Sequence, residues 1–304
     1  MIQVWNGQTG EPLTEIVTDG STRFEVIAIS HDGTQVAAIA QTLPGNSLVL
    51  QSWQVESGQQ LWQRSLGTAQ GPFRNEAGFI GVPLVQVAFQ PGDKRLLSQV
   101  SLGFGPADRP TDIQLQLHDV PTGRVMQALE TPAGAELGQF TFSPGGEWLA
   151  GVGFVRPDAA APEQTAGQLI AIWALATGSV ERTLRPPAPN VTFTDMVFTA
   201  TDTLRVLSQD VYDTQLDTWN VRTGDRLERI TDLPEINRQD RLSRLSPSGS
   251  YYFVRSDVAG TRLINIAAAT VTNFDLLVNL ARFDPTGKYL AIATQGDVQI
   301  FARD

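Results

Sequence analysis

The 304 residues offer little to a nucleophile, a general base or a soft metal. There is no cysteine, which excludes thiolate nucleophiles, disulfide frameworks and thiolate metal sites. The histidines are His31 and His118 alone, too few for a multi-histidine zinc site. Nothing in the sequence places a nucleophilic serine beside either, which argues against a Ser-His-Asp arrangement. His31 lies in a turn and reads as a solvated residue. His118, followed by Asp119, lies among alternating apolar residues and reads as a packed core position. Asp210, Asp213 and Asp217 form the best oxygen-ligand set for calcium, but their spacing lacks the glycine and terminal glutamate of a calcium loop, so they read as polar turn residues. Gly151-Val152-Gly153 sits inside a strand pattern with no helix after it, so a phosphate cradle is not expected. Asn190-Val191-Thr192 matches a glycosylation acceptor without a secretory signal beside it. No catalytic residue, metal ligand or cofactor follows, and a non-enzymatic protein is the expectation.

Charge narrows the partners. The net charge is −10, and the lysines are Lys94 and Lys288 alone. Binding to nucleic acid or anionic lipid needs clustered Lys and Arg, so neither is expected. No apolar run approaches the roughly 20 residues of a membrane helix. Met1 is followed at once by a patterned strand, not a signal peptide, which points to the cytoplasm. Apolar residues make 41 % of the chain, enough for a sizeable core in one domain over residues 1–304.

The elements that must position any site are read from a repeat. Four tryptophans, Trp5, Trp53, Trp173 and Trp219, each end an alternating apolar strand and precede a glycine by five residues (Gly10, Gly58, Gly178, Gly224). His118 fills the same position before Gly123, and Ile266 and Phe301 fill it in weaker copies without the glycine. Before each such strand comes an apolar strand, a turn and a second strand. The turns are His31-Asp32-Gly33, Pro91-Gly92-Asp93, Pro144-Gly145-Gly146, Thr199 to Asp202, Pro247-Ser248-Gly249 and Pro285-Thr286-Gly287. Proline presets the first turn dihedral and glycine accepts positive φ, so these are tight hairpins. A fourth strand follows each tryptophan position: Pro12 to Val17, Gln60 to Leu66, Arg124 to Leu129, Val180 to Leu184, Arg226 to Ile230 and Val271 to Phe274. The unit is a four-stranded antiparallel sheet, a–b–c–d, in an all-β chain. Repeat units fall at about 1–20, 21–66, 67–130, 131–185, 186–230, 231–275 and 276–304.

Four-stranded units recurring in this way describe blades of a β-propeller. The Pro-Asp/Ser-Gly a–b turn and the strand ending Trp-x-x-x-Thr-Gly resemble WD-repeat β-propellers over essentially the whole chain. The Gly-His opening and the Trp-Asp dipeptide of that family are absent; Asn6, Gln54, Ala174 and Asn220 follow the tryptophans, and only His118-Asp119 keeps the acid. The resemblance implies that packing of the tryptophan row replaces the family's hydrogen-bonded network. Six a–b pairs, seven c strands and six d strands fit either of two rings. In the six-bladed one, Pro12 to Val17 supplies the outer strand for Asn279 to Phe301. In the seven-bladed one, the first a–b pair lies upstream of Met1.

Turns on the a–b/c–d face are uniformly short, while length variation gathers on the opposite face. The d–a connections there are Gly67 to Pro83, Arg185 to Asn190 and Thr231 to Asp240; the b–c connections are Gly103 to Thr111, Arg156 to Gln168 and Asp210 to Thr214. Loops on a rigid scaffold carry binding, and aromatic and Arg side chains dominate interfaces. Phe73, Arg74, Phe79, Arg109, Arg156, Arg185, Tyr212 and Arg238 are therefore the candidate protein-binding residues of a non-enzymatic scaffold expected to act as a monomeric domain. Inner strands offer Gln86, Gln139, Asp195, Arg244 and Arg282, which read as the hydrophilic lining of a central channel; the alternative is a polar channel mouth for a small ligand, in a ligand-binding or calcium-dependent propeller enzyme or sensor.

Overall fold

A computed structural model describes residues 1–7, 9–18, 20–43, 45–69, 73–74, 80–81, 85–105, 109–155, 166–210, 213–231, 233, 240–256, 260–274, 278–294 and 297–302, and none of these is helical. The first sheet pairs β1 (Ile2–Trp5) with β2 (Pro12–Ile16). The second orders β3 (Thr22–Ile29), β4 (Gln35–Thr42), β5 (Ser47–Gln54) and β6 (Gln60–Thr68), and a small hairpin of β7 (Phe73–Arg74) and β8 (Ile80–Gly81) follows it. Three further sheets hold β9 (Val85–Phe89) to β12 (Val125–Ala128), through β10 (Arg95–Gly105) and β11 (Arg109–Asp119); β13 (Ala135–Phe142), β14 (Trp148–Val155), β15 (Gly167–Ala174) and β16 (Ser179–Leu184); and β17 (Thr192–Ala200), β18 (Thr203–Gln209), β19 (Thr214–Asn220) and β20 (Arg226–Ile230). The last two hold β21 (Asp240–Leu245), β22 (Tyr251–Ser256), β23 (Gly260–Asn265) and β24 (Thr270–Phe274), then β25 (Leu280–Phe283), β26 (Tyr289–Ala293) and β27 (Val298–Ala302). Each is an antiparallel meander. The fold is an all-β propeller with six blades that begin with an a–b pair. Within it, β2 pairs with β1, and the β25–β27 sheet has three strands.

Contacts divide the chain into two compact units, Met1–Gln139 with Ala176–Val180 and Phe140–Leu175 with Glu181–Asp304. In the first unit, Ile2, Val4 and Ile16 of the β1–β2 hairpin pack on Val36, Ala38 and Trp53. The opposite face of the same β3–β6 sheet sends Ala37, Ile39, Leu48 and Leu50 against Phe89, Leu96 and Val100. In the second unit, Leu204 and Val206 face Trp148, Ile170 and Ile172. Leu207, one residue on, faces Tyr252 and Val254, while Phe253 between those two faces Ala281, Leu290 and Ile292. Both faces of an inner sheet are covered, so neighbouring residues of its strands are apolar together, as in Tyr252-Phe253-Val254, all fully buried.

The tryptophan position recurs in register. Trp53, His118, Trp219 and Trp5 each pair with the residue seven further on, just after a bulge in four c–d ladders. In the β23–β24 ladder that spacing belongs to Ile264, paired with Val271. The assignment of Ile266 is therefore corrected by two residues: Ile264 is fully buried in the tryptophan position, and Ile266 follows it as Val55, Val120, Leu175 and Val221 follow theirs. Five residues past Ile264 stands Ala269 at φ 51°, where the other turns have Gly58 (66°), Gly123 (66°) and Gly224 (84°). The turn survives without its glycine, in a left-handed conformation that strains a side chain.

At this position Trp53, Trp219 and Phe301 face the preceding sheet. Trp173 is fully buried beside Phe140 at 6.1 Å between ring centroids, and Phe301 meets Phe274 at 5.2 Å. Trp53 is buried and meets Phe24 edge-on at 5.7 Å, and Trp219 is half-buried against the β14–β16 sheet. Trp5 breaks the expectation at 53 % exposure. Alternation turns Ile2 and Val4 onto the β3–β6 sheet, and Trp5 lies on the other face.

Two outcomes follow for denaturant unfolding. Trp173→Ala lowers stability by roughly 3–5 kcal/mol, whereas Trp5→Ala stays within about 0.5 kcal/mol of the parent. Ala269→Gly raises stability by about 0.5–1 kcal/mol, because relief of left-handed strain (about 1–2 kcal/mol) exceeds the added chain entropy of glycine. Urea midpoints at constant slope check both.

Candidate functional site

The elaborated connections contain more ladder than the sequence suggests. Within Gly67 to Pro83, Phe73 pairs with Gly81 and Arg74 with Ile80, so this connection folds its own hairpin. Gly103 to Thr111 is not a loop of that length: β10 and β11 continue pairing through Gly103–Thr111, Phe104–Pro110 and Gly105–Arg109. Pro110 is tolerated there because β12 reaches only residues 116–118 of β11, which leaves the far end an edge. Arg109 thus opens a strand. Asp210 to Thr214 is a tight reversal, closed by Asp210 N–H donating to the Asp213 carbonyl (3.0 Å) and Asp213 N–H to Asp210 Oδ1 (2.8 Å). Arg185 follows β16 and is exposed. Phe79, Arg156, Tyr212, Arg238 and the side chains of Phe73, Arg74 and Arg109 lie outside the described residues.

Several chemical readings are corrected by geometry. Asp217 is not an exposed turn residue; it is buried and accepts two hydrogen bonds from Arg229 (2.7 and 2.8 Å), a bond that raises the arginine's pKa. The carboxylate set considered for calcium is thereby split. Ser98 Oγ does stand beside a histidine, 2.8 Å from His118 Nε2. His118 Nδ1 lies 3.2 Å from the Gly123 carbonyl, which only accepts, so Nδ1 carries the proton and Nε2 accepts from Ser98. Burial lowers the histidine's pKa and keeps it neutral. Ser98 and His118 are both 1 % exposed, and Asp119 is turned to Thr122, so the pair is a core hydrogen bond, not a nucleophile and base facing substrate. His31 is not simply solvated: its Nδ1 and its backbone N–H both lie 2.9 Å from Asp93 Oδ1, and Asp32 N–H donates to Oδ2 (3.1 Å), which ties the β3–β4 turn to the β9–β10 turn. Gly151 is a packing residue, since a Cβ there would fall 2.7 Å from the Phe140 ring.

Polar side chains of one sheet repeatedly complete the next. Gln99 Nε2 donates to the Leu137 carbonyl (2.8 Å), Gln168 Oε1 accepts from Phe193 N–H, and Asp195 Oδ2 accepts from Leu245 N–H. Of the inner-strand residues, Asp195 is thus a tie and not free channel lining. Arg282 donates to the Ala281 carbonyl (3.0 Å), and partial desolvation, then Arg244, lowers its pKa. At the turns, Trp62 Nε1 donates to the Val120 carbonyl (2.7 Å), and Arg182 Nε does the same to Val221 (2.9 Å) at the same repeat position. Trp148 Nε1 donates to Asp202 Oδ1 (2.8 Å), which also binds Arg222 (3.1 and 3.2 Å), and the guanidinium lies 5.7 Å from the Trp148 ring. The Arg222 and Trp148 bonds hold the Asp202 carboxyl below its ordinary pKa.

A cleft of about 410 Å³ opens on the short-turn side of the first unit. Val120, Pro121 and Met126 form its apolar wall, and Asp93, Lys94, Arg95, Asp119 and Gln35 its polar rim. The c–d turn holding the wall is fixed by Val120 N–H on the Lys94 carbonyl (3.2 Å) and Trp62 on the Val120 carbonyl. No sequence signal marked it, because its lining converges from an a–b turn, a c–d turn and the start of β4.

No family model and no curated protein matches the chain. Solved structures do. A chain of the "Crystal Structure of Mitotic Checkpoint Complex" aligns at TM-score 0.63 and 17 % identity, covering 99 % of this chain and 83 % of that one. A chain of Kuenenia stuttgartiensis hydrazine synthase aligns at TM-score 0.66 and 11 % identity, covering 99 % and 89 %. Identities this low speak for fold alone.

Because the folded pKa of Asp202 is depressed, its contribution is complete above the unfolded carboxylate value of about 3.9 and is lost as pH falls through the folded value. Asp202→Asn therefore lowers the urea midpoint at pH 7, and the gap to the parent narrows when both are measured near pH 3. An equal gap at both pH values would contradict the assignment.

Proposed function

We propose that the chain is a non-enzymatic, WD-like propeller that holds a protein partner on its b–c/d–a loop face. The single observation that carries this is the β7–β8 hairpin. A d–a connection needs only to return the chain to the next inner strand, yet this one builds a separate two-stranded ladder that pairs Phe73-Arg74 with Ile80-Gly81. A connection mounted on rigid sheets is a usual place for recognition. Arg185, in another d–a connection, is exposed. The alignment with a chain from a checkpoint complex adds the weight of fold analogy: propellers of this size occur in protein assemblies.

The test is affinity capture from native extract with the intact chain and with Gly67 to Pro83 replaced by a short Gly-Ser turn. Loss of one or more specific partners, with an unchanged thermal midpoint, is the expected result. Identical partner sets from both proteins would remove this face from consideration.

A further inference from the structure

We propose that Asn6 is a site of spontaneous covalent modification, where the Gly7 amide nitrogen attacks the side-chain carbonyl and the asparagine becomes aspartate and isoaspartate. One repeat position sets it apart. Two residues past the tryptophan position stand Val55, Val120, Leu175, Val221 and Ile266, all buried. Each donates its N–H to a carbonyl beside an a–b turn: Val55 to Thr34 (2.8 Å), Val120 to Lys94 (3.2 Å), Leu175 to Glu147 (2.9 Å), Val221 to Asp202 (2.9 Å) and Ile266 to Ser250 (2.9 Å). In β1–β2 the same place holds Gly7, which is exposed and belongs to a two-stranded sheet with no a–b pair. Among the described residues its N–H makes no hydrogen bond. Asn6-Gly7 is also the only Asn-Gly dipeptide in the sequence, and glycine has no Cβ to crowd the attack.

The electrophile is prepared as well. Thr9 N–H donates to Asn6 Oδ1 (3.2 Å), which holds the side-chain carbonyl over the turn and stabilises the negative charge that develops on this oxygen. Solvent hydroxide takes the Gly7 amide proton, and the nitrogen bonds to Asn6 Cγ. The Cγ–Nδ2 bond then breaks, and ammonia leaves with a proton from water. Water opens the resulting five-membered imide. Opening at Cγ gives aspartate; opening at the main-chain carbonyl gives isoaspartate, with the backbone rerouted through Cβ and Cγ. Aspartate preserves the turn, since Asp119 at the same repeat position accepts from Thr122 N–H (3.1 Å). Isoaspartate lengthens a reversal closed by Asn6 N–H on the Glu11 carbonyl and Gly10 N–H on the Asn6 carbonyl (both 2.8 Å). It thereby loosens the hairpin that packs on Val36, Ala38 and Trp53.

Peptide mapping of the full chain after incubation in mildly alkaline buffer tests this, read by mass gain and by isoaspartyl methyltransferase labelling. Asn6 is expected to convert less than about tenfold more slowly than in the free peptide Trp-Asn-Gly-Gln-Thr. Asn220, whose following N–H must first leave a buried hydrogen bond, is expected to fall roughly tenfold or more below the free peptide Trp-Asn-Val-Arg-Thr. Gly7→Val, at an exposed position, slows Asn6 by roughly tenfold or more without moving the thermal midpoint. Any of four results overturns the assignment: Asn6 protected by the fold about tenfold or more, Asn220 left unprotected, Gly7→Val converting like the parent, or a mass gain without isoaspartate, the mark of direct hydrolysis.

Discussion

A four-stranded sheet with two apolar faces and a polar inner edge cannot stand in water alone, and within each unit of this protein neighbouring sheets finish one another. The faces are closed by alternation. Val206 and Leu207, or Tyr252 and Phe253, are sequence neighbours that serve different cores. The inner edge is closed by side chains. Leu245 pairs opposite Tyr252 without exchanging ladder bonds, because Ser246 N–H already takes the Tyr251 carbonyl, so the Leu245 amide points away from its own sheet. Asp195 of the preceding sheet accepts that hydrogen, as Gln168 does for Phe193. A buried amide left without such a partner costs on the order of 1–3 kcal/mol, which makes these few polar contacts as consequential as a core side chain.

The same directionality explains what the sequence disclosed. Strand order, the a–b and c–d turns and most tryptophan positions follow from period-two alternation and glycine spacing, and they stand in the structure as the repeat implies. Trp5 does not: it carries the repeat pattern yet is exposed, which no local pattern records. Ile266 was displaced from Ile264 because the glycine that marks the register is replaced by Ala269, whose left-handed backbone does the same work under strain. Asn265 then caps its turn by accepting from Ala268 N–H, as Asn220 does from Thr223.

Contacts between sheets were the least legible part. Trp62 and Arg182 share one repeat position and one task, donation to the carbonyl two residues beyond the tryptophan position, yet an indole and a guanidinium show no likeness in sequence. Asp93 and Asp202 read as ordinary turn acids, and their partners His31, Trp148 and Arg222 lie on other turns or strands. Ser98 and His118, twenty residues apart in chain order, meet only because β10 and β11 pair. The cleft beside Lys94 belongs to this group, being assembled by turns that regularity made look uninteresting. A rigid scaffold held in this way leaves its connections free to carry recognition.

Site-resolved amide hydrogen exchange in the native protein addresses the dependence of neighbouring sheets on one another most directly. The account predicts that the Phe193 and Leu245 amides exchange as slowly as ladder amides in the cores of β18 and β22. Exchange of either at the rate of an exposed turn amide such as Gly33 would contradict it.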